Sequence, residues 1–207
     1  MEYYQEITII SQPDTNDYHI LSALYDKLHG IVFGASSAPR NIGISFPEYV
    51  CTASTKTSRM GGKVRIFTKT KEQLEALDIA SMLSDIEDYV HIRSISEVGE
   101  KPTHYEVYTR YKHKSLHRKA KEFRQFINSK RDGADEMTEA EALKHCIKHK
   151  NLGQLYPFVR LTSTTTNKTY YLNIKKEVVD KPTENRAFDG FGLSQKDQDF
   201  VSTVPAW

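Results

Sequence analysis

The sequence has few cysteines and no long apolar run. It contains two cysteines among 207 residues. These are Cys51 and Cys146, which lie far apart and have no metal-ligand spacing around them. No stretch approaches the roughly 20 apolar residues that a membrane helix needs. The first residues, MEYYQEITIISQPD, lack the basic region of a secretory signal peptide. We therefore expect a reduced, intracellular protein that has no contact with a membrane.

Motifs for metals and nucleotide cofactors are also missing. There is no Walker loop and no GxGxxG sequence. His145 and His149 are four residues apart on a predicted helix, but no glutamate follows His145, so the zincin pattern is absent and a solvated pair is expected. The sequence thus predicts neither a bound metal nor a cofactor.

The positive charge is concentrated in one short segment. The formal net charge is only +2. Residues 101–131, however, carry ten Lys or Arg and two Asp or Glu, whereas residues 1–100 carry nine and fourteen. Such a patch favours binding of a polyanion. The alternative is a helix face that is simply solvated.

The first hundred residues show short strand-like and helix-like patterns in turn. Ile20, Leu21, Leu24 and Leu28 fall on one helical face. The predicted order is strand 4–10, helix 16–29 ending at Gly30, strand 42–46, polar loop 52–62, strand 63–67, a capped helix 70–82 and strand 90–95. This β-α-β-β-α-β order predicts a ferredoxin-like domain over residues 1–100.

The second half predicts a further α+β domain over residues 101–207, so the fold class is α+β. An extended segment, 105–111, precedes a helix over 115–128, whose apolar residues share one face and leave the basic ones outside. A second helix over 138–148 and a β-hairpin formed by 158–163 and 169–174 follow.

RNA can be cut without a metal if a base takes the proton of the ribose 2′-OH and polar groups hold that hydroxyl in line with the phosphorus. Histidine suits this task near pH 7. The residue pattern alone does not choose among the eight histidines.

Four motifs, in order along the chain, resemble the type I-F CRISPR repeat endoribonuclease family. They are Leu24-Tyr-Asp-Lys-Leu-His29 with Ile42-Gly-Ile-Ser-Phe-Pro47, then Gly62-Lys-Val-Arg-Ile66, then Pro157-Phe-Val-Arg-Leu-Thr-Ser-Thr-Thr-Thr166, and finally Gly190-Phe-Gly-Leu-Ser194 with Val204-Pro-Ala-Trp207. The resemblance implies a ferredoxin-like domain, a second domain with an RNA-binding helix, and metal-independent cleavage at the 3′ base of a repeat stem-loop. The implied products are a 2′,3′-cyclic phosphate and a 5′-hydroxyl.

The resemblance also implies roles for individual residues. His29 matches the family's general base, and Ser163 matches the serine that positions the 2′-OH. Thr165 and Thr166 match a Ser-Thr pair near the cut, and Tyr170 stands where the family has a phenylalanine that stacks on the terminal base pair.

Two positions depart from the family pattern. Phe191, a candidate RNA contact, stands where the family has a tyrosine, so any role of that hydroxyl in orienting the histidine is lost. The family's Arg-x-Gln, which reads purines at the stem base, is Arg110-Tyr-Lys112 here. Arginine can still pair with a guanine edge, but lysine cannot copy the amide of glutamine, so the preferred base there is expected to differ.

The basic helix is expected to bind RNA phosphates, as the family's arginine-rich helix does. Its candidate contacts are Lys114, Ser115, His117, Arg118, Lys121 and Arg124. The resemblance implies that the product crRNA stays bound, that other subunits of a type I-F surveillance complex are partners, that the free protein is monomeric, and that it works in the bacterial cytoplasm.

Two other functions fit parts of the same pattern. A non-catalytic hairpin binder of this fold would anchor a guide RNA without cutting it. An unrelated metal-dependent nuclease on a ferredoxin-like scaffold would lose activity on chelation and regain it with magnesium.

Overall fold

The structure is a computed structural model that describes residues 1–33, 41–52, 54, 57–130, 136–149, 156–163, 166–183, 188–195 and 201–207. Strands β1 to β7 are Tyr3–Ile9, Gly43–Ser45, Val50–Thr52, Thr57–Arg59, Lys63–Thr68, Val90–Ile92 and Ser96–Glu97. Strands β8 to β11 are His104–Tyr111, Phe158–Thr162, Thr169–Val179 and Val204–Ala206. Helices α1 to α5 are Asp17–Lys27, Lys71–Glu75, Ile79–Met82, Leu116–Asn128 and Glu139–Lys148. The protein is therefore mixed α+β, as predicted.

The first sheet is antiparallel and has the order β2-β5-β1-β6, with β7 also paired to β1. Its central strands alternate, so that Ile7 on β1 and Val64 and Ile66 on β5 are fully buried. Leu24 of α1 belongs to the same core and is also fully buried. The four main strands predicted in this half are confirmed, although β6 ends at Ile92 rather than at Ile95.

Three predictions in this half are wrong in detail. The chain does not leave the helical path at Gly30, because a π-helical turn continues over Leu28–Phe33. The predicted polar loop 52–62 contains β4, which pairs with β3 in a two-stranded hairpin. The predicted helix 70–82 is broken into α2 and α3 by Asp78, which has a left-handed backbone (φ +41°) and caps α3 through its side chain.

The second sheet is antiparallel, with the order β11-β8-β10-β9. The hairpin of β9 and β10 confirms the sequence prediction, and β10 extends five residues beyond the predicted end at Ile174. Alternation along β9 buries Val159 and Leu161 and exposes the residues between them. The buried residues join the same core cluster as those of the first sheet.

Helix α1 lies along the outer edge of β9. The Ser22 hydroxyl accepts a hydrogen bond from the Arg160 backbone N–H (3.2 Å), and the Asp26 carboxylate accepts one from the Thr162 N–H (3.2 Å). Four helical residues rise about 6 Å, and two strand residues span nearly the same distance. The two elements therefore run side by side in the same direction, from residues 22 and 160 toward residues 26 and 162.

The contacts divide the chain into two compact units. The first comprises residues 1–111 with 156–207, and the second comprises residues 112–155. This division does not coincide with the predicted domain boundary between residues 100 and 101, which stays a prediction. In the second unit, α4 begins after the predicted cap Ser115 and ends at Asn128, as the sequence predicts. The sequence Lys130-Arg-Asp-Gly133 predicts a loop after this helix, and residues 131–133 of that loop lie outside the described residues.

Candidate active site

The predicted general base, His29, lies just beyond the last residue of α1. Asn16 caps the start of this helix by accepting a hydrogen bond from the Tyr18 backbone N–H (2.9 Å). His29 lies in the π-helical turn that follows Lys27. Single π-helical turns within helices are frequently found at functional sites. The partly exposed side chain leaves the helix close to the loop 188–194.

This loop holds the imidazole by two contacts. His29 Nδ1 lies 2.7 Å from the Gly190 carbonyl oxygen, and the ring stacks on Phe191 with centroids 4.2 Å apart and planes inclined by 11°. Because a carbonyl oxygen only accepts hydrogen bonds, Nδ1 must carry the hydrogen. In the neutral ring, Nε2 then keeps its lone pair and is able to take a proton.

The loop 188–194 closes on itself. Phe188 and Ser194 form an antiparallel bridge at its base. The Asp189 N–H donates to the Leu193 carbonyl (2.7 Å), and the Gly192 N–H donates to the Asp189 carbonyl (3.0 Å). Gly192 has φ +69°, a conformation that glycine adopts at little steric cost. The turn is therefore defined by backbone hydrogen bonds as well as by its side chains.

Two buried groups tie the loop to the rest of the first unit. The Tyr25 hydroxyl donates a hydrogen bond of 2.6 Å to the Phe191 carbonyl oxygen, and the Ser194 N–H donates to the Tyr108 carbonyl (2.8 Å). Tyr25 is fully buried, and this burial raises the pKa of its hydroxyl well above the ordinary value. The hydroxyl therefore remains a donor at all physiological pH values.

Strand β2 packs against the loop at a glycine. A Cβ atom on Gly43 would lie 2.7 Å from the Phe188 ring and 2.8 Å from Val204. The next residue, Ile44, donates its N–H to the Gly192 carbonyl (3.1 Å). A larger residue at position 43 would push the base of the loop away from β2.

The sequence patterns did not identify Asp189 as part of the site. Its Oδ1 accepts hydrogen bonds from the Phe191 N–H (2.9 Å) and the Leu193 N–H (3.0 Å). Burial raises the pKa of the Asp189 carboxyl, against smaller opposing effects of these two N–H groups, of Arg110 and of His29. The Asp189-Gly190 pair signals a turn in the sequence, but nothing local indicates that the carboxylate faces His29 and Arg110.

Arg110 and Tyr170 come from neighbouring strands of the second sheet. The Arg110 guanidinium carbon lies 4.4 Å from the centroid of the Phe191 ring, so this ring contacts both Arg110 and His29. Tyr170 is half-buried against the core and lies opposite Leu161 in the β9–β10 pairing. The stacking of Tyr170 on a base pair stays a prediction.

Ser163 follows the last residue of β9. Its N–H donates to the Lys168 carbonyl (3.0 Å), its carbonyl accepts from the Asn167 N–H (2.8 Å), and its Oγ accepts from the Thr166 N–H (3.3 Å). Thr166 is thus held in the same turn, whereas Thr165 lies outside the described residues.

The pairing of α1 with β9 brings His29 and Ser163 to the same end of these elements. Asp26 contacts Thr162. His29 follows Asp26 by three helical residues, and Ser163 follows Thr162 by one strand residue. Both steps advance about 3–5 Å in the same direction. His29 and Ser163 therefore lie at the same end of α1 and β9, and their joint role in catalysis stays a prediction.

The remaining predicted RNA contacts belong to the second unit. Apart from Ser115 and the half-buried Arg124, they are exposed basic side chains on α4 or on the segment before it, and they are Lys112, Lys114, His117, Arg118 and Lys121. The Ser115 hydroxyl accepts a hydrogen bond from the Arg118 N–H (3.2 Å) and so caps α4. Its hydroxyl hydrogen can be donated to RNA in the predicted contact.

One acidic residue partly neutralises this cationic face. Glu122 accepts hydrogen bonds from Lys114 (2.6 Å) and Arg118 (3.3 Å), and these contacts lower the pKa of its carboxyl. Arg124 Nη1 lies 3.9 Å from Glu139 on α5. His145, predicted to be solvated, is exposed but stacks on Phe123, with centroids 4.4 Å apart. The helix keeps its excess of positive charge despite these contacts.

Among the described residues, no cluster of three or more His, Cys, Asp or Glu side chains is arranged to hold a metal ion. Over the same part of the chain, no helix is both long enough and apolar enough to cross a bilayer.

Comparison with known proteins gives consistent matches. A family model described as CRISPR-associated protein (Cas_Csy4) matches residues 4–207. The CRISPR-associated endonuclease Cas6/Csy4 of Pseudomonas aeruginosa (strain UCBPP-PA14) is 26% identical over 195 residues, which cover 94% of this chain and 96% of that protein. The protein of the same name from Escherichia coli (strain UTI89 / UPEC) is 23% identical over 205 residues, 99% of each chain.

A solved structure named CRISPR associated protein Cas6 aligns with 100% of this chain and 99% of its own, at a TM-score of 0.32 and 10% identity, which supports no argument about fold or function. The family model, in contrast, extends over nearly the whole chain and includes His29, Ser163 and the loop 188–194. The chain therefore belongs to the CRISPR-associated protein (Cas_Csy4) family.

Proposed function

We propose that this chain is a metal-independent, site-specific endoribonuclease that binds a CRISPR repeat stem-loop and cuts it at the 3′ base of the stem. The observation that supports this most directly is the 2.7 Å hydrogen bond from His29 Nδ1 to the Gly190 carbonyl, which leaves Nε2 as the basic nitrogen. The relatives from Pseudomonas and Escherichia are both named endonucleases.

In the proposed reaction, His29 Nε2 takes the proton of a ribose 2′-OH. The 2′-oxygen then forms a bond to the adjacent phosphorus, and the bond from phosphorus to the 5′-oxygen of the next nucleotide breaks. The leaving 5′-oxygen takes up a proton from solvent and His29 returns its proton to solvent, so the products are a 2′,3′-cyclic phosphate and a 5′-hydroxyl. A positioned general base typically contributes 10²- to 10⁴-fold to such a rate.

Ser163 is proposed to hold the attacking hydroxyl. Its Oγ already accepts the Thr166 N–H, so its own hydrogen remains to be donated to the 2′-oxygen. With that oxygen accepting from Ser163, the 2′-hydrogen can point toward His29 Nε2. Such fixed orientation lowers the entropic part of the barrier.

The hairpin is proposed to be held by cations and by one ring. Arg110 and Lys112 would contact the base of the stem, Tyr170 would stack on its last base pair, and Thr165 and Thr166 would contact RNA near the cut. The exposed basic face of α4 would hold phosphates, together with Lys114 and Ser115 before it. Phe191 would support His29 beside the RNA.

The N-terminal half is proposed to form a ferredoxin-like domain of a protein that works in a complex. The strand order β2-β5-β1-β6 with α1 and α2 in the two connections supports a ferredoxin-like domain in the N-terminal half. We propose that the protein works in the bacterial cytoplasm, is monomeric when free, keeps the mature crRNA bound, and joins the other subunits of a type I-F surveillance complex.

The decisive experiment is cleavage of repeat RNA in EDTA by the wild type and by His29→Ala. The variant should lose at least about 100-fold in rate, while its affinity for the hairpin stays within a few-fold. His91→Ala is the matched control, because His91 is exposed on β6. A substrate with a 2′-deoxy nucleotide just upstream of the cut should bind without being cut. Near-normal cleavage by His29→Ala would exclude this mechanism.

One observation favours a second candidate, a non-catalytic anchor for guide RNA. The ring that stacks on His29 is a phenylalanine, so no tyrosine hydroxyl is present there to orient the imidazole. Binding of the repeat without any cut product, with or without magnesium, would support the anchor. Cutting that appears only with magnesium would instead support a metal-dependent nuclease.

A further inference from the structure

Asp189 lies directly before the two residues that contact His29. Gly190 supplies the carbonyl that accepts from Nδ1, and Phe191 supplies the ring that stacks on the imidazole. A change in the backbone at Asp189 would therefore alter both the hydrogen bond from His29 to Gly190 and the stacking of His29 on Phe191.

The carboxylate of Asp189 determines the shape of this segment. Its Oδ1 accepts the N–H groups of Phe191 (2.9 Å) and Leu193 (3.0 Å), which flank the positive-φ Gly192. One oxygen that bonds to two N–H groups of a tight turn restricts the peptide planes between them, as Asp side chains do in Asx-type turns. Those planes set the direction of the Gly190 carbonyl and of the Phe191 ring.

The same carboxylate is close enough to His29 to interact with it electrostatically. Arg110 acts on Asp189 as well, from β8. The other titratable groups that face this cluster are Tyr25 on α1, which interacts with Asp189 and Arg110, and Tyr170 on β10, which interacts with Arg110. Asp26, one helical turn before His29, interacts with Tyr170.

We propose that Asp189 is a positioning residue for His29, which fixes the tautomer and plane of the imidazole through the turn 189–193 and stabilises the positive charge that the ring gains during the reaction. This rests on the proposed function of His29 as a general base. When His29 takes the 2′-OH proton, its ring becomes positive, and a partly buried carboxylate nearby stabilises that charge more than an exposed one does.

The two parts of this role can be separated by two substitutions. Asp189→Asn keeps an oxygen that can accept both N–H groups but removes the charge. Asp189→Ala removes both the acceptor and the charge. Asp180→Asn is the matched control, because Asp180 is exposed at the end of β10.

The first measurement is the single-turnover cleavage rate in EDTA between pH 5 and pH 9. Loss of a nearby negative charge removes stabilisation of the positive ring that forms in the transition state, so the plateau rate of Asp189→Asn should fall several-fold. Asp180→Asn should reproduce the wild-type profile.

The second measurement is made without turnover. Nitrogen NMR of the His29 ring should show the Nδ1–H tautomer in the wild type and in Asp189→Asn, and a mixture of tautomers in Asp189→Ala. Hairpin affinity, measured with the 2′-deoxy substrate, should stay within about two-fold for Asp189→Asn. This readout reports on positioning even if Asp189→Ala is less stable.

The outcomes separate the two proposals. If the wild type cuts in EDTA and Asp189→Asn has the same plateau rate, the electrostatic role is refuted. If Asp189→Ala keeps the wild-type tautomer and rate, the positioning role is refuted. If the wild type does not cut at all, the proposed function fails, and the tautomer measurement still tests whether Asp189 orients His29.

Discussion

Removing the Tyr25 hydroxyl should weaken both the stability of the protein and the geometry of the candidate site. This hydroxyl donates to the Phe191 carbonyl at 2.6 Å, and the Tyr25 side chain is 0% exposed. In Tyr25→Phe the ring remains and only the donor is lost. The Phe191 carbonyl then lies next to the edge of an apolar ring that is itself fully buried.

The expected cost follows from that carbonyl. A buried acceptor left without its donor costs about 1–3 kcal/mol, so we expect the free energy of unfolding to fall by about 2 kcal/mol. For a chain of this length, 1 kcal/mol corresponds to roughly 2–4 °C in Tm, so Tm should fall by about 4–8 °C. The loop would still be held by Asp189 and Ile44, so cleavage should slow several-fold rather than stop.

Urea unfolding, thermal unfolding and single-turnover cleavage test this together. Tyr171→Phe is the matched control, since that ring is 61% exposed and its hydroxyl should contribute within about 0.5 kcal/mol. Equal unfolding free energies for the two variants would refute the reasoning. So would an unfolding free energy of Tyr25→Phe within 0.5 kcal/mol of the wild type together with an unchanged cleavage rate.

Further variants test the ring contact and the basic helix. Phe191→Leu removes a stacking contact of about 0.5–1.5 kcal/mol, so we expect a two- to twelve-fold slower cleavage with unchanged hairpin affinity; a wild-type rate would show that the stack does not orient the base. Neutralising Arg118 and Lys121 together should weaken hairpin binding and reduce the slope of log affinity against log salt by about one to two, whereas Lys69→Ala with Lys71→Ala, in the first unit, should leave that slope unchanged. An equal slope in the two double variants would show that α4 does not bind phosphates.

Local signals explain why α4 could be predicted to within a residue. Ser115 accepts the Arg118 N–H and starts the helix, and the apolar residues repeat along one face. The Thr70 capping box is likewise present in the structure. The helix that it opens nevertheless ends early, because Asp78 adopts a left-handed backbone and caps a new helix through the Ser81 N–H. An aspartate can either continue a helix or cap a new one. Which of the two Asp78 does depends on packing, and a sequence pattern contains no information about packing.

The hairpin of β3 and β4 shows a different limit. Its partners are Val50 with Arg59, Cys51 with Ser58 and Thr52 with Thr57, and β4 is exposed along its whole length. A strand with no buried face lacks the alternation of apolar and polar residues on which strand prediction depends. The polar composition of 52–62 therefore predicted a loop.

The candidate site likewise contains residues that the sequence indicated and residues that it did not. Family motifs pointed to His29, Ser163 and the loop around Phe191, whose side chains would perform or support the reaction. They did not point to Tyr25 or Asp189, which act on the backbone of that loop. Tyr25 is 166 positions away from its partner Phe191. No local pattern can indicate such a contact, because it exists only after both sheets have joined one core.

The contacts that complete the second sheet also align the proposed catalytic residues. An edge strand exposes unpaired N–H groups, and natural proteins cover them. Here the side chains of Ser22 and Asp26 accept the N–H groups of Arg160 and Thr162. A shift of β9 by one residue would turn the buried Leu161 outward and place a polar neighbour in the core. Burial of apolar side chains therefore holds the register of β9. This register determines that Ser163, and not an adjacent threonine, follows the strand at the end where His29 leaves α1.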